Sequence, residues 1–503
     1  MARFTIFALQ LAGLLPIANG ACVKTPAAPA AGGICTTLGC QLPGLISYAG
    51  EDIYNASQTS FYTSQERDIT PGCVFRPKST ADVSKFIKLI SANAPKTRSG
   101  SFSPSFAIRG GGHTLWDGAA NINGGVTVDM RGLDSFSLSK DLKTASLGGG
   151  AIWSNIYPQL TPHNLTVMGG RLPGIGVGGF ATGGGLGFFA RRHGWTSDNI
   201  YGYEVVLASG EVVYASASSN SDLWLALKGG SNNFGIVTRF DVATFPQTQM
   251  LGGIVSYNYT QDIVEAHAKA FSNLMLPKNF DDAAMLSIII GYQNGAFTIA
   301  DSLFYLEPVA KPAVYEPFTS LPTVLNTLVL DTTDGIVKAF GKILPSTLDR
   351  AVEFVYSFKN ADASVYLELI QMWQTSVTSL ANIAGLQVQF LIQPQAVTNG
   401  TNSMGLTAGQ KDLVMVDLTI AYANAADDDT VQTAIVNMVN QQKSYLSKQG
   451  LLIPFVYLNY ADKTQDPIGS YGKSAKAKLQ AASKKYDPNG LFQTANSGGY
   501  KLF

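Results

Sequence analysis

Hydrophobic residues recur along this chain in two rhythms, and the change between them divides it. Ser79-Thr80-Ala81-Asp82 forms a capping signal, and Val83, Phe86, Ile87 and Ile90 follow at helical spacing. Short β-rich pieces surround this predicted helix: Gly125 to Met130, Glu204 to Leu207, and Val212 to Tyr214 across a Ser209-Gly210 turn. From about 250 to 440 glycine thins out, and strand-like runs (Met285 to Tyr292, Leu413 to Tyr422) alternate with helical ones such as Val365 to Trp373. Beyond 450 the pattern predicts one strand, Leu452 to Leu458, and a helix around Lys473 to Lys485, stopped by Asp487-Pro488-Asn489-Gly490. No internal repeat occurs. The texture predicts two mixed domains, the glycine-rich one holding the first half and the tail.

The first residues read differently from all of this. Met1-Ala2-Arg3, an apolar run from Phe4 to Ile17 and Ala18-Asn19-Gly20 have the form of a secretory signal peptide, residues 1–20, cleaved near Gly20–Ala21. The run is shorter than the roughly 20 residues a membrane span needs. Residues 21–34, rich in Ala, Pro and Gly, read as a loose leader. The protein is therefore expected outside the cell and off the membrane. Four sequons, at Asn55, Asn164, Asn258 and Asn399, suit that compartment. All four cysteines (Cys22, Cys35, Cys40, Cys73) lie early, an even count that predicts two disulfides in one of three pairings. No CxxC pair or neighbouring histidine among them supports a metal site.

Composition narrows the partners. With 35 basic and 35 acidic residues and only 14% of the chain charged, nucleic-acid binding and polybasic membrane attachment are disfavoured. Glycine, at 51 of 503 residues, is concentrated in three clumps. They are Arg109-Gly110-Gly111-Gly112-His113, the run from Gly169 to Gly187, and Lys228-Gly229-Gly230-Ser231-Asn232-Asn233-Phe234-Gly235. Residues without Cβ let backbone N–H groups approach an anion closely, and a pyrophosphate is the expected guest. Tight turns in a β-rich protein explain one such clump better than three. Gly174-x-Gly176-x-x-Gly179 fits the dinucleotide fingerprint, with Asp198 downstream. Its context is wrong, because Pro173 interrupts the strand that should precede it.

The order of these motifs resembles a known family. Arg-Gly-Gly-Gly-His, Gly-Gly-Val-Thr-Val-Asp (124–129) and Gly-Val-Gly-Gly (176–179) before Gly-Gly-Gly-Leu-Gly are similar to flavoproteins related to p-cresol methylhydroxylase and vanillyl-alcohol oxidase. Asp198-Asn199, the stretch Trp224 to Phe240, Tyr457-Leu458-Asn459-Tyr460 and the tail Lys485 to Gln493 resemble the berberine-bridge-enzyme-like branch. The resemblance runs from about 35 to 503. It implies an α+β fold: a two-lobed FAD-binding domain of the p-cresol-methylhydroxylase (PCMH) type at 35–248 and a segment at 449–503 that returns to it. Residues 249–448 would form an α+β substrate domain of antiparallel sheet covered by helices.

The same resemblance implies the site. His113 would bond covalently to a methyl carbon of the flavin, with Arg109 in the same motif. Gly110, Gly111, Gly112, Gly174, Gly176, Val177, Gly178 and Gly179 would hold the FAD, and Asn459 would lie near the ring. Leu172 stands where many relatives carry a second, cysteinyl link, so FAD attached through one bond is expected; Phe180 stands where many have a histidine. Cys35 would pair with Cys73, leaving Cys22 for Cys40. Tyr460 is the first choice of general base, with Tyr457 and Asp417 behind it. Val177 is small enough to admit oxygen. His163, His193 and His267 lack motifs and are expected to be structural or exposed.

Together these point to a secreted FAD oxidase using oxygen and a small organic substrate. An alcohol or phenol-derived natural product competes with a carbohydrate oxidised at its anomeric carbon. Trp373 is the only tryptophan in 250–440, too few stacking residues for a sugar groove, which favours the natural product. A binding glycoprotein without activity stands as the non-enzymatic alternative. No Gly-x-Ser-x-Gly elbow or His-Glu-x-x-His pair supports a hydrolase or zinc enzyme.

Overall fold

The capping signal at Ser79 opens a real helix. In the computed structural model, which describes residues 33–94, 102–343 and 345–503, it spans Thr80–Asn93. The Ser79 hydroxyl accepts from the Asp82 N–H at 3.2 Å, and Val83, Phe86, Ile87 and Ile90 are wholly buried. This helix connects strands Cys73–Phe75 and Phe106–Arg109, which flank Val126–Asp129 in parallel; Ile46–Ser47 completes the four-stranded sheet. Parallel neighbours need such a crossover. A disulfide joins Cys35, on helix Ile34–Gln41, to Cys73. Residues 1–32, with the expected signal peptide, Cys22 and most of the expected leader, lie outside the described residues, whereas Ile34, the last residue of that leader, opens the helix.

A second, antiparallel sheet runs in the order Phe136–Leu138, Thr144–Gly148, Ile236–Pro246, Ile200–Val206, Val212–Ser216, with Leu165–Val167 pairing onto Ile236–Pro246. The Gly174-x-Gly176 segment follows Leu165–Val167, an antiparallel strand, and leads only into the short helix Val177–Thr182. A dinucleotide fold would need a parallel strand there.

The third sheet is antiparallel and nine-stranded. Its central order is Ala284–Gln293, Gln387–Pro394, Leu413–Tyr422, Arg350–Lys359. Alternation gives its two faces different work. Even-numbered Val416, Leu418, Phe390, Ile392 and Phe354 join a core with Phe271, Trp373 and Ile435 from helices Gln261–Leu274, Ala363–Thr378 and Asp428–Lys448. Odd-numbered Met415 and Val355 instead join the core of the glycine-rich half, with Trp153, Val177 and Tyr457. These four strands thus turn their odd positions toward the glycine clumps.

The tail diverges from expectation in one place. The predicted strand Leu452 to Leu458 shrinks to Leu452–Ile453, because Pro454 has no N–H for the ladder, and the chain turns into a 3-10 turn at Leu458–Tyr460. Helix Lys473–Tyr486 forms as predicted. The Asp487 carboxylate then accepts from the N–H groups of Leu491 and Phe492, both at 2.8 Å. This turn returns the chain to the first sheet, where Ser105 N–H donates to Ala495 O at 2.8 Å. Among the described residues no helix is long and apolar enough to cross a membrane.

Candidate active site

Two glycine clumps meet backbone to backbone. A Cβ on Gly111 would stand 2.5 Å from the Gly176 nitrogen, and one on Gly176 would stand 2.3 Å from the Gly111 nitrogen. Only glycine permits that approach. Beside the contact the floor is open. A Cβ on Gly179 would meet nothing within 4 Å, and one on Gly174 would meet only His113 Cδ2, at 3.7 Å. A bare peptide surface next to an imidazole fits the expected FAD: glycine backbone would lie against its phosphates, and His113 would supply a nitrogen for attachment. Gly178 packs closely on Gly149, and Val177 is buried with its N–H bonded to Ala151 O at 2.8 Å.

His113 stacks face to face on Tyr62, ring centroids 3.9 Å apart and planes 14° from parallel. Burial pushes its imidazole down to about 4, so it is neutral, with a free lone pair, at neutral pH. The Arg109 side chain has a different job from the expected one. It donates to the carbonyl and hydroxyl of Ser57 and to those of Ser60 (2.8 and 3.0 Å), and it lies 3.8 Å over the Phe61 ring. Its guanidinium therefore satisfies the carbonyl end of helix Asp52–Thr59 rather than a cofactor. Burial lowers it to about 9.

Tyr460 ends the 3-10 turn created by the broken strand. Arg171 Nη2 donates to its hydroxyl at 3.0 Å and to Gln393 Oε1 at 3.0 Å; Ser287 Oγ donates to the same Gln393 oxygen at 3.2 Å. Burial raises the phenol and the guanidinium pulls it down, while the charges of Asp417 and Glu353 push it up. Asp417 is buried, not a solvated strand carboxylate. It faces Val355 across the ladder while Glu353 faces Thr419, which places the two acids diagonally on one face. They hydrogen-bond to each other. Burial pushes Asp417 up to about 7, opposed by the Glu353 bond and the Arg171 charge; burial and Asp417 hold Glu353 well above the carboxylate range. Two carboxyls in contact cannot both ionise, so the pair keeps a proton.

Arg171, inside the second glycine clump, bonds both Gln393 of the third sheet and Tyr460, which sets the acid-bearing face of that sheet beside the glycine floor. Asn459 closes this cleft, donating to Phe180 O and to the Tyr457 hydroxyl, both at 3.0 Å. Tyr457 is tied down by backbone and Asn459, and burial holds its phenol well above the usual range against the donors that pull it down. Its oxygen accepts from Gly185 N–H (3.1 Å), Leu186 N–H (3.0 Å) and Asn459, and the residue is fully buried. His267 is buried on the helical side of the third sheet against Asp301 (3.1 Å), and His193 stacks on Phe245 (3.9 Å). His163 is exposed.

Sequence reasoning missed Tyr62, Arg171, Glu353 and Gln393. Glu353 carried a signal: a lone acid in the alternating run Arg350–Lys359. Arg171 sat inside a glycine clump read for its backbone alone.

Residues 71–216 match a family model described as an FAD binding domain. An FAD-dependent monooxygenase of Cochliobolus heterostrophus is 33% identical over 462 residues, 88% of this chain and 87% of the relative. The bifunctional solanapyrone synthase of Alternaria solani is 32% identical over 448 residues, 86% of this chain and 82% of that one. Among solved structures, a BBE-like protein of Physcomitrella patens superimposes with a TM-score of 0.72 at 22% identity, covering 91% of this chain and 97% of that one. A glucooligosaccharide oxidase of Acremonium strictum gives 0.73 at 19%, covering 91% and 96%. At these identities the solved structures speak for the α+β fold alone.

Proposed function

Because this chain belongs to the berberine-bridge-enzyme-like FAD-linked oxidoreductases of the p-cresol methylhydroxylase and vanillyl-alcohol oxidase superfamily, we propose that it is a secreted oxidase of a hydroxyl-bearing natural product. FAD, when bound, supplies a hydride acceptor at N5 that oxygen restores with release of hydrogen peroxide. Gly110 to Gly112 and Gly174 to Gly179 hold it, and His113 gives its single covalent bond, Leu172 offering no second one. Tyr460 takes the substrate hydroxyl proton. Arg171 stabilises the phenolate that a tyrosine with a free pKa near 10 otherwise resists forming. The Glu353–Asp417 pair, above about 7, presents one negative charge to receive that proton next.

The Arg171–Tyr460 bond carries this reading, since it is what makes a buried tyrosine usable as a base. Trp373 supports the choice of substrate: it is wholly buried in the helix-side core and offers the cleft no sugar platform. The name of the Alternaria solani relative supports it as well. Secretion is supported by the signal-like leader, the disulfide and the exposure of Asn55, Asn164, Asn258 and Asn399. Carbohydrate oxidation is the second reading, favoured by the polar groups Ser287 and Gln393 on the cleft face and by the Acremonium strictum neighbour. Stopped-flow reduction of the flavin by a panel of allylic and benzylic alcohols and of oligosaccharides separates the two. Tyr460→Phe should keep the flavin and slow its reduction; reduction at the wild-type rate would remove Tyr460 from the mechanism.

A further inference from the structure

The backbone leading to His113 is fixed where Gly111 meets Gly176, but the imidazole still turns about two bonds of its own. Yet a ring nitrogen must meet one methyl carbon of the flavin, and reacting atoms misplaced by about 1 Å cost on the order of 100-fold in rate. Something must hold the ring.

Tyr62 is the only group whose ring lies parallel to that imidazole among the described residues, at 3.9 Å. It is itself fixed from two sides. Its N–H donates to Gly112 O at 2.9 Å, tying it to the residue just before His113. Its carbonyl accepts from Leu348 N–H at 2.7 Å and from Arg67 Nη1 at 3.1 Å. Leu348 belongs to a segment leading into the third sheet, and Ser64 N–H reinforces the junction by donating to Asp349 O at 2.7 Å. The plate under His113 is thus bolted both to the glycine loop and to the opposite half of the molecule.

We infer that Tyr62 is the positioning residue for flavin attachment, its stacked ring presenting the edge of the His113 imidazole to the flavin methyl group. The inference rests on the reading of His113 as the attachment point. In the attachment, one methyl C–H bond and the imidazole N–H bond break and a C–N bond forms. The two electrons and two protons first stay on the isoalloxazine, and molecular oxygen then removes them as hydrogen peroxide.

The test follows attachment with time after expression is induced, as the fraction of total flavin that stays with acid-precipitated protein. Tyr62→Phe keeps the stacked ring and should attach flavin at the wild-type rate. Tyr62→Leu should attach it about 10- to 100-fold more slowly while binding the same total flavin and melting at a similar temperature. Where Tyr62→Leu does not accumulate as folded protein, Tyr62→Met and Tyr62→Gln, of similar length and without a ring, carry the same comparison. Attachment at the wild-type rate in the ringless variants overturns the inference. His113→Ala serves as the separate control: acid-stable flavin in that variant would overturn the attachment reading itself, whatever Tyr62 does.

Discussion

One guanidinium nitrogen, Arg171 Nη2, bonds both the Tyr460 hydroxyl and the Gln393 amide oxygen at 3.0 Å, linking a glycine loop, the tail and the third sheet at one point. A cation held there favours the ionised phenol over the neutral one. Because burial works the other way on Tyr460, Arg171 decides how much phenolate the cleft can support.

Arg171→Met should therefore slow flavin reduction by about 10- to 100-fold, the equivalent of losing one hydrogen bond to a charged group. Arg171→Lys, which keeps the charge without the planar fork, should recover part of it. Single-turnover reduction at saturating substrate measures both, and unchanged rates would separate Arg171 from the chemistry.

The raised Asp417 carboxyl predicts a pH dependence for the proposed proton transfer. Its carboxyl is held up to about 7, so the singly ionised pair with Glu353 forms as pH rises through that value. The reduction rate should climb with a midpoint near 7, and Asp417→Asn should flatten the climb. Glu353→Leu removes a bond that lowers Asp417, so the midpoint should move upward. The Arg171 cation and three phenols that burial raises, Tyr62, Tyr460 and Tyr500, also face this pair, which leaves Asp417 to set a midpoint near 7.

Gly176→Ala places a methyl group 2.3 Å from the Gly111 nitrogen, and backbone must move to admit it. Forced overpacking of this kind costs about 1–3 kcal/mol or more. The purified variant should show a lower flavin-to-protein ratio and a lower melting temperature, whereas Gly179→Ala, facing open space, should fold normally.

Glu66 sets a separate stability window. It is fully buried, accepts from Ala120 N–H at 2.8 Å, and burial raises it from 4.5 to about 7. Between those values the folded state keeps a proton that the unfolded state has lost. Its contribution therefore falls as pH rises from about 4.5 to 7 and is level above. Glu66→Gln should gain on the wild type across that window, by up to about 3 kcal/mol, seen as a melting-temperature difference that widens from pH 4.5 to 7.5.

Much of this architecture was legible because local signals and tertiary burial agree. Leu413–Tyr422 is a β-rich run in which Asp417 and Thr419 alternate with Leu418 and Ile420, and it is a strand over those same residues; Ser79 and Asp487 mark a helix start and a chain reversal by hydrogen bonds their side chains do make. The strand Leu452 to Leu458 misled because its apolar run outweighed a single proline. The cleft was only half readable. Its glycine floor is local in sequence, but its acid–base groups arrive from positions 171, 353, 393, 417 and 460, and no pattern along the chain records that they meet. Arg109 shows the opposite error, a motif residue whose side chain serves the helix behind the loop.

The third sheet has a consequence for how such a protein can diversify. Even positions of Leu413–Tyr422 are locked among helices, while odd positions such as Asp417 face the cleft. A change at an odd position alters what the cleft accepts without touching the helix-side core. The same ten residues thus keep the domain folded with one set of letters and can be respelled for a new substrate with the other.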